Sequence, residues 1–314
     1  MSGAIAGTAI LKNLTRSNQL KTVTLTVNNT CNFSCPHCYL QYNQESYLIQ
    51  EQTINSIFNS DFEHIAIVGK EPLVNSSSIA LLEILIEKCY LSNKSISLVT
   101  NGMGLGNVKP SIIHYLDYID VSFDGGVQTY DQHRKGSFQK IIKAIFELQS
   151  KFQITFNALH TISSTTINDI EDMVAINRYA DFKTIMFSPF LKTLHDGKNE
   201  VSIVRLEEIL MKFSQSKGFM EARESLILVD IYHLQQDGIS FSTLKDLVTF
   251  YNLDSKVVLI DKDPLFFGII RVTYDGYILT PHQSLHPKNY KQAQFLVSNT
   301  NLNQVFETMQ NNFH

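Results

Sequence analysis

Six short runs rich in Val, Ile, Thr and Phe recur along the first two thirds of the chain. They are TVTLTVN (22–28), HIAIVG (64–69), SISLVTN (95–101), YIDVSFDG (118–125), ITFNALHTI (154–162) and FKTIMFSPF (182–190). A strand covered on both faces reads as such a near-continuous apolar run. Between the runs, apolar residues recur at helical spacing. Ile79, Leu82, Ile86 and Cys89 share one stripe, as do Phe138, Ile141, Ile142, Ile145 and Leu148. Ile167, Ile170, Met173 and Val174 repeat the pattern, which marks helices with one buried face. Strands that alternate with helices are joined by crossovers, so the sheet is parallel. The expected fold is therefore α/β, a partial (β/α)6 TIM-like barrel, since six units fall short of the eight that close a full one. A doubly wound sheet fits the same alternation. Either way, a functional site belongs at the carboxyl ends of the strands.

Beyond about 195 the alternation breaks down. HDGKN reads as a turn, and helical stretches are expected at 203–216, 221–236 and 240–252. FFGIIRVTYDGYILTP (266–281) reads as a β-hairpin with Asp275-Gly276 at its turn. The amphipathic segment LNQVFETMQ follows near the C-terminus. This predicts a core over 1–195 and a helical and hairpin extension over 196–314 that covers the substrate.

Composition excludes several classes. Charged residues make up 18% of the 314, and the net charge is −4, without the basic excess that tracking nucleic-acid phosphates requires. No stretch reaches the ~18 apolar residues of a membrane span. The first twenty residues carry a short apolar patch with no cationic segment before it, so they read as a lead-in and not as a signal peptide. The four cysteines are clustered as three and one, unlike a secreted disulfide framework. A cytoplasmic location is expected.

Those three cysteines stand in CNFSCPHC, as Cys31, Cys35 and Cys38, in the loop after the first expected strand. Spacings of four and three let thiolates converge on one centre. A closed zinc site takes four ligands, whereas an iron–sulfur cluster on three thiolates leaves one iron open to a small molecule. The residues alone leave both open. His37 lies inside the loop as a competing ligand, and Cys89, on its helical stripe, reads as a small core residue.

Taken in order, CNFSCPHCY after the first run, GKEP after the second, TNG after the third and VSFDG on the fourth resemble the radical SAM superfamily. The resemblance spans roughly 22–190. It implies one [4Fe–4S] cluster held by Cys31, Cys35 and Cys38, with S-adenosylmethionine (SAM) on the open iron. It further implies that Tyr39 lies near the adenine and that Gly69, Lys70, Glu71 and Pro72 receive the methionyl amino group. Asn101 and Ser122 are implied near the ribose, and Arg134 as a fork for the SAM carboxylate. The sequence departs from the family's GGEP at Lys70, which removes a glycine's freedom of close approach. A lysine there points either to solvent or to a carboxylate.

DQHRKGSFQKIIKAI resembles the segment leading into the fourth helix of peptide-modifying relatives, and VTYDGYILTPHQSLHP resembles the hairpin that opens their auxiliary-cluster (SPASM or twitch) extension. His282 stands where that extension has its cysteine after Pro281, and no cysteine follows Cys89. An auxiliary cluster is therefore not expected. His282 and His286 read as substrate contacts in preference to a metal pair. The resemblance implies an enzyme that cleaves SAM reductively and abstracts a hydrogen atom from a ribosomally made peptide. An electron donor such as flavodoxin or ferredoxin is implied, with neither nucleic acid nor membrane as partner. A small-metabolite substrate, such as a sugar or nucleotide derivative, is the alternative. A non-catalytic zinc- or cluster-binding module is the alternative of another class. The short segment before the first strand is not expected to hold a leader-binding domain.

Overall fold

The computed structural model describes residues 7–15, 20–38, 46–134, 137–190, 204–230, 240–279 and 301–311. A helix, α1 (Gly7–Thr15), precedes the first strand. All six expected runs are strands: β1 (Thr22–Thr26), β2 (His64–Val68), β3 (Ser95–Thr100), β4 (Tyr118–Ser122), β5 (Phe156–Ile162) and β6 (Ile185–Pro189). The intervals hold α2 (Glu51–Phe58), α3 (Ser76–Leu91), α4 (Pro110–Ile113), α5 (Val127–Arg134), α6 (Phe138–Lys151) and α7 (Ile170–Tyr179). Then come α8 (Leu206–Gln215), α9 (Lys217–Glu221), β7 (Ser225–Asp230), α10 (Phe241–Phe250), β8 (Val257–Ile260), β9 (Ile269–Val272), β10 (Ile278–Leu279) and α11 (Leu302–Asn311).

The strands form one sheet in the order β10-β9-β1-β2-β3-β4-β5-β6-β7-β8. Every pairing is parallel except that of β10 with β9. The α/β architecture is that of a partial TIM-like barrel whose sheet is not closed, with β8 and β10 at the two ends of the order. The strand count differs from the sequence reading. Residues 221–236, expected to be helical, contain β7, and β8 follows it. Both lie beyond position 195 and extend the same sheet. In SLILVD nearly every residue is buried, and a short apolar run covered on both faces does not betray its period. The hairpin is present, with Gly276 at φ 85° in its turn, where a side chain would be strained.

Two apolar layers hold the sheet. Outside, the stripe Ile79, Leu82, Leu85, Ile86 and Cys89 of α3 packs in one cluster with Ile65, Ile67 and Leu98. Inside, Ala9 and Ile10 of α1 cluster with Ala66 of β2, Leu228 of β7, Ile260 of β8, Ile269 of β9 and Phe190. Strands so far apart in the order meet one helix only if the sheet curls around it. The segment read as a lead-in is thus a plug. The Thr8 backbone N–H and hydroxyl donate to Asp120 at 2.9 and 2.7 Å, and Asn157 Nδ2 donates to the same carboxylate at 2.9 Å. Asn13 Nδ2 donates to the Phe267 carbonyl at 2.9 Å, so α1 bridges β4 and β5 to the turn before β9. Burying Ile10 alone contributes about 1.5–3 kcal/mol.

Candidate functional site

The chain leaves the sheet after β1, and the three cysteines lie in the irregular backbone that follows. Cys38 N–H donates to the Cys35 carbonyl at 3.0 Å, closing a turn around Pro36. Phe33 is buried and holds the loop down, while its N–H donates to Cys31 Sγ at 3.3 Å. Cys31, Cys35 and Cys38 are half-buried and Cys89 is fully buried, and none is in a disulfide.

Three contacts pin this loop to the carboxyl ends of the next three strands. The Thr30 carbonyl accepts from Glu71 N–H at 3.0 Å, just past β2. Asn32 Oδ1 accepts from Asn101 Nδ2 at 2.8 Å, at the end of β3. His37 Nε2 lies 3.2 Å from Asp124 Oδ2, past β4. The first contact depends on Gly69, because a Cβ there would stand 2.9 Å from Asn28 Oδ1. Asn28 is itself fixed, with Nδ2 donating to the Glu71 carbonyl at 2.7 Å and to Ser78 Oγ at 3.1 Å.

Glu71 is fully buried and serves the architecture with its carboxylate. It accepts from Leu73 N–H at 2.8 Å, Thr100 Oγ1 at 2.6 Å and Asn101 N–H at 2.7 Å. Burial pushes its pKa up, with these three hydrogen bonds opposing. It therefore locks the β2 loop to the β3 loop, and through Asn101 to the cysteines. Lys70, between Gly69 and Glu71, carries its ammonium inward, with Nζ itself buried. Burial lowers its pKa, while the charges of Cys38 and Cys31 raise it. The lysine thus faces the cysteine loop.

Asp124 is a hub that sequence reasoning did not single out. Its Oδ2 accepts from Arg134 Nε at 2.7 Å and Nη2 at 2.5 Å, in addition to His37. Its Oδ1 accepts from Thr161 N–H at 2.5 Å, tying β5 to the group. Arg134, implied by the resemblance as a fork for a cofactor carboxylate, turns its guanidinium to Asp124 in this structure. His37, read as a competing ligand, anchors the loop. The only sequence signal for Asp124 was its place at a strand end before Gly125, a glycine at φ 83°. Asn28 and Asn32 gave none.

Ser122 sits half-buried at the end of β4, opposite Leu159 in the ladder, and Pro72 is buried beside Glu71. Tyr39, His282 and His286 lie outside the described residues. The site thus brings together Cys31, Cys35, Cys38, Gly69, Lys70, Glu71 and Asn101, with Ser122 and Arg134 on its β4 side.

The donor set fits an iron–sulfur cluster. Three soft thiols lie close enough to act electrostatically on one another. Burial, reinforced by Glu71 and the other two cysteines, pushes Cys31 up to about 12. Burial pushes Cys35 up to about 11, with Arg134 opposing. Such thiols ligate only when the metal displaces their protons. Among the described residues no three His, Cys, Asp or Glu side chains stand gathered at metal-ligand spacing. No described helix is long and apolar enough to cross a membrane.

Similarity to known proteins agrees with this geometry. Residues 25–175 match the Radical SAM superfamily, and a search of curated proteins found no match. Among solved structures, native anSMEcpe with bound AdoMet and Kp18Cys peptide superposes with a TM-score of 0.60 at 20% identity, over 93% of this chain and 82% of that one. Streptococcus suis SuiB bound to precursor peptide SuiA superposes with a TM-score of 0.57 at 10% identity, over 96% and 67%. HydG, a maturase of the [FeFe]-hydrogenase, gives a TM-score of 0.51 at 11% identity, over 99% and 68%. Radical SAM proteins bind a [4Fe–4S] cluster and S-adenosylmethionine. With its three thiols at the end of β1 in an open parallel barrel, this chain matches the Radical SAM superfamily over residues 25–175 and shares its fold with these neighbours.

Proposed function

We propose that this protein is a radical SAM enzyme acting on a ribosomally synthesised peptide. When bound, the cluster and SAM supply an electron and a 5′-deoxyadenosyl radical that takes a hydrogen atom from the substrate. The observation that carries the reading is the cysteine loop, which is pinned to the ends of β2, β3 and β4 by Thr30, Asn32 and His37.

The chain's own residues then have separable tasks. Cys31, Cys35 and Cys38 would hold the cluster through their three thiolates. Gly69 keeps the β2 loop close against Asn28, and Glu71 holds the backbone of Asn101. Backbone carbonyls of the Gly69–Pro72 loop would receive the SAM amino group. Asn101 and Ser122, at the ends of β3 and β4, would hold the ribose. Lys70 supplies positive charge beside the thiolates, while Arg134 holds Asp124. The segment after 195 extends the sheet with β7, β8, β9 and β10 and covers the substrate.

The peptide reading draws on two neighbours of the same fold with peptides bound, Kp18Cys and SuiA. The products consistent with it are a crosslink or a related C–H modification. With Cys89 fully buried, a thiol hydrogen donor for epimerisation is not at hand among the described residues.

Anaerobic reconstitution with iron and sulfide tests the reading. The expected result is one cluster, about four irons per chain, and release of 5′-deoxyadenosine with reductant. Cys35→Ala abolishes that release while leaving the fold intact, because the loop lies outside the core. A colourless protein holding one zinc would overturn the assignment in favour of a binding module. For the substrate, co-expression with a peptide encoded nearby is read by mass: loss of two hydrogens marks a crosslink, and an unaltered peptide counts against the peptide reading.

A further inference from the structure

Tyr130 has a feature that the site as described does not use. Its side chain is fully buried, and its hydroxyl meets no hydrogen-bond partner among the described residues. The ring is held by stacking on Phe123, at 4.7 Å between centroids, and by an edge contact with Phe138 at 6.1 Å. A buried hydroxyl without a partner carries a desolvation cost, and native proteins rarely leave one in that state. The ring packing alone would be served as well by phenylalanine.

The direction of that hydroxyl follows from α5. Tyr130 and Arg134 are four residues apart and share one face of the helix. Arg134 reaches Asp124, and Asp124 reaches His37, which stands between Cys35 and Cys38. Burial pushes the phenol pKa up, and the charges of Arg134, Asp124 and Cys35 act on it as well. Tyr130 thus stands on the helix face whose Arg134 reaches the cysteine loop through Asp124 and His37.

We propose that Tyr130 is a hydrogen-bond donor to the cluster, its hydroxyl reaching the Cys35 thiolate or an adjacent sulfide once the thiols close on iron. This rests on the radical SAM reading above. A donor to sulfur stabilises the more negative, reduced cluster and so raises the reduction potential. Tyr130 is a positioning and tuning residue in this role. Its partner exists only in the loaded protein, which gives the idea a signature that ordinary packing lacks.

The test uses the full chain before and after anaerobic reconstitution, as wild type and Tyr130→Phe. Before loading, the variant should melt at or above the wild-type temperature, because no hydrogen bond is lost. After loading, the reduced-to-oxidised ratio at a fixed solution potential should fall about two- to tenfold in the variant, the range of one net hydrogen bond. Wild-type reduced cluster should show an exchangeable-proton coupling, lost in deuterated buffer and missing in the variant. An unloaded variant that is clearly less stable, or a loaded one with unchanged potential and proton coupling, overturns the proposal. Should the variant fail to load, wild type decides alone: no exchangeable proton at hydrogen-bond distance from the cluster refutes it. If wild type itself assembles no cluster, the radical SAM reading fails, an outcome distinct from the others.

Discussion

Replacing Asp124 by Asn removes one negative charge from a buried group and alters its shape very little. Four donors converge on that carboxylate: Arg134 through two nitrogens at 2.7 and 2.5 Å, His37 at 3.2 Å and Thr161 N–H at 2.5 Å. An amide offers only one accepting oxygen, and its NH2 must face one of these donors. The heavier effect is on Arg134, which is 7% exposed and would keep its charge with no anion beside it. Removing one partner of a buried ion pair costs about 3–5 kcal/mol, a large part of the ~5–15 kcal/mol that holds a typical protein folded. At about 2 °C per kcal/mol for a chain of this size, the melting temperature should fall by roughly 6–10 °C. Thermal melting of the unloaded protein gives the number directly. Combining Asp124→Asn with Arg134→Met removes the orphaned cation and should recover part of the loss. The loaded single variant should also lose iron faster than wild type, since His37 no longer ties the loop down. A single variant within about 1 kcal/mol of wild type, or a double variant less stable than the single, would falsify the hub argument.

Three further outcomes follow from other contacts. Gly69→Ala forces a Cβ to within 2.9 Å of Asn28 Oδ1; the cysteine loop should shift, seen as slower cluster assembly with little change in melting temperature. Thr8→Val removes a donor to the buried Asp120 and should lower stability by about 1–3 kcal/mol, measured by denaturant unfolding; no change would mean that α1 does not plug the barrel. His160 is buried, and burial lowers its pKa from 6.5 to about 4. Between these values the unfolded chain binds the proton and the folded one does not, so stability is present above pH 6.5 and falls as the pH drops towards 4. The span corresponds to about 3 kcal/mol. His160→Met should flatten the fall in melting temperature between pH 7 and 5, and an unchanged slope would show that this histidine does not drive it.

Much of the fold was legible because the strands and helices carry separate periods. The six β-branched runs and the stripes on α3, α6 and α7 depend only on which residues must be covered, a local property. The cysteine spacing, the motifs at successive strand ends and the burial of Cys89 were legible for the same reason. The strand β7 was not: SLILVD is apolar on both sides, and its state was decided by pairing with β6 and β8. Likewise the plug α1 has a modest apolar patch whose meaning depends on a curled sheet to fill.

At the site the division is equally physical. The sequence by itself determined that three thiols follow the first strand and that glycine, acid and amide residues stand at the next strand ends. What only the tertiary structure decided is how those ends hold one another. Glu71 locks Asn101, Asn101 holds Asn32, and Asp124 gathers Arg134, His37 and Thr161. These contacts join residues tens of positions apart through hydrogen bonds and charge. No local pattern encodes such pairs, because each depends on where the curled sheet brings two distant strand ends together.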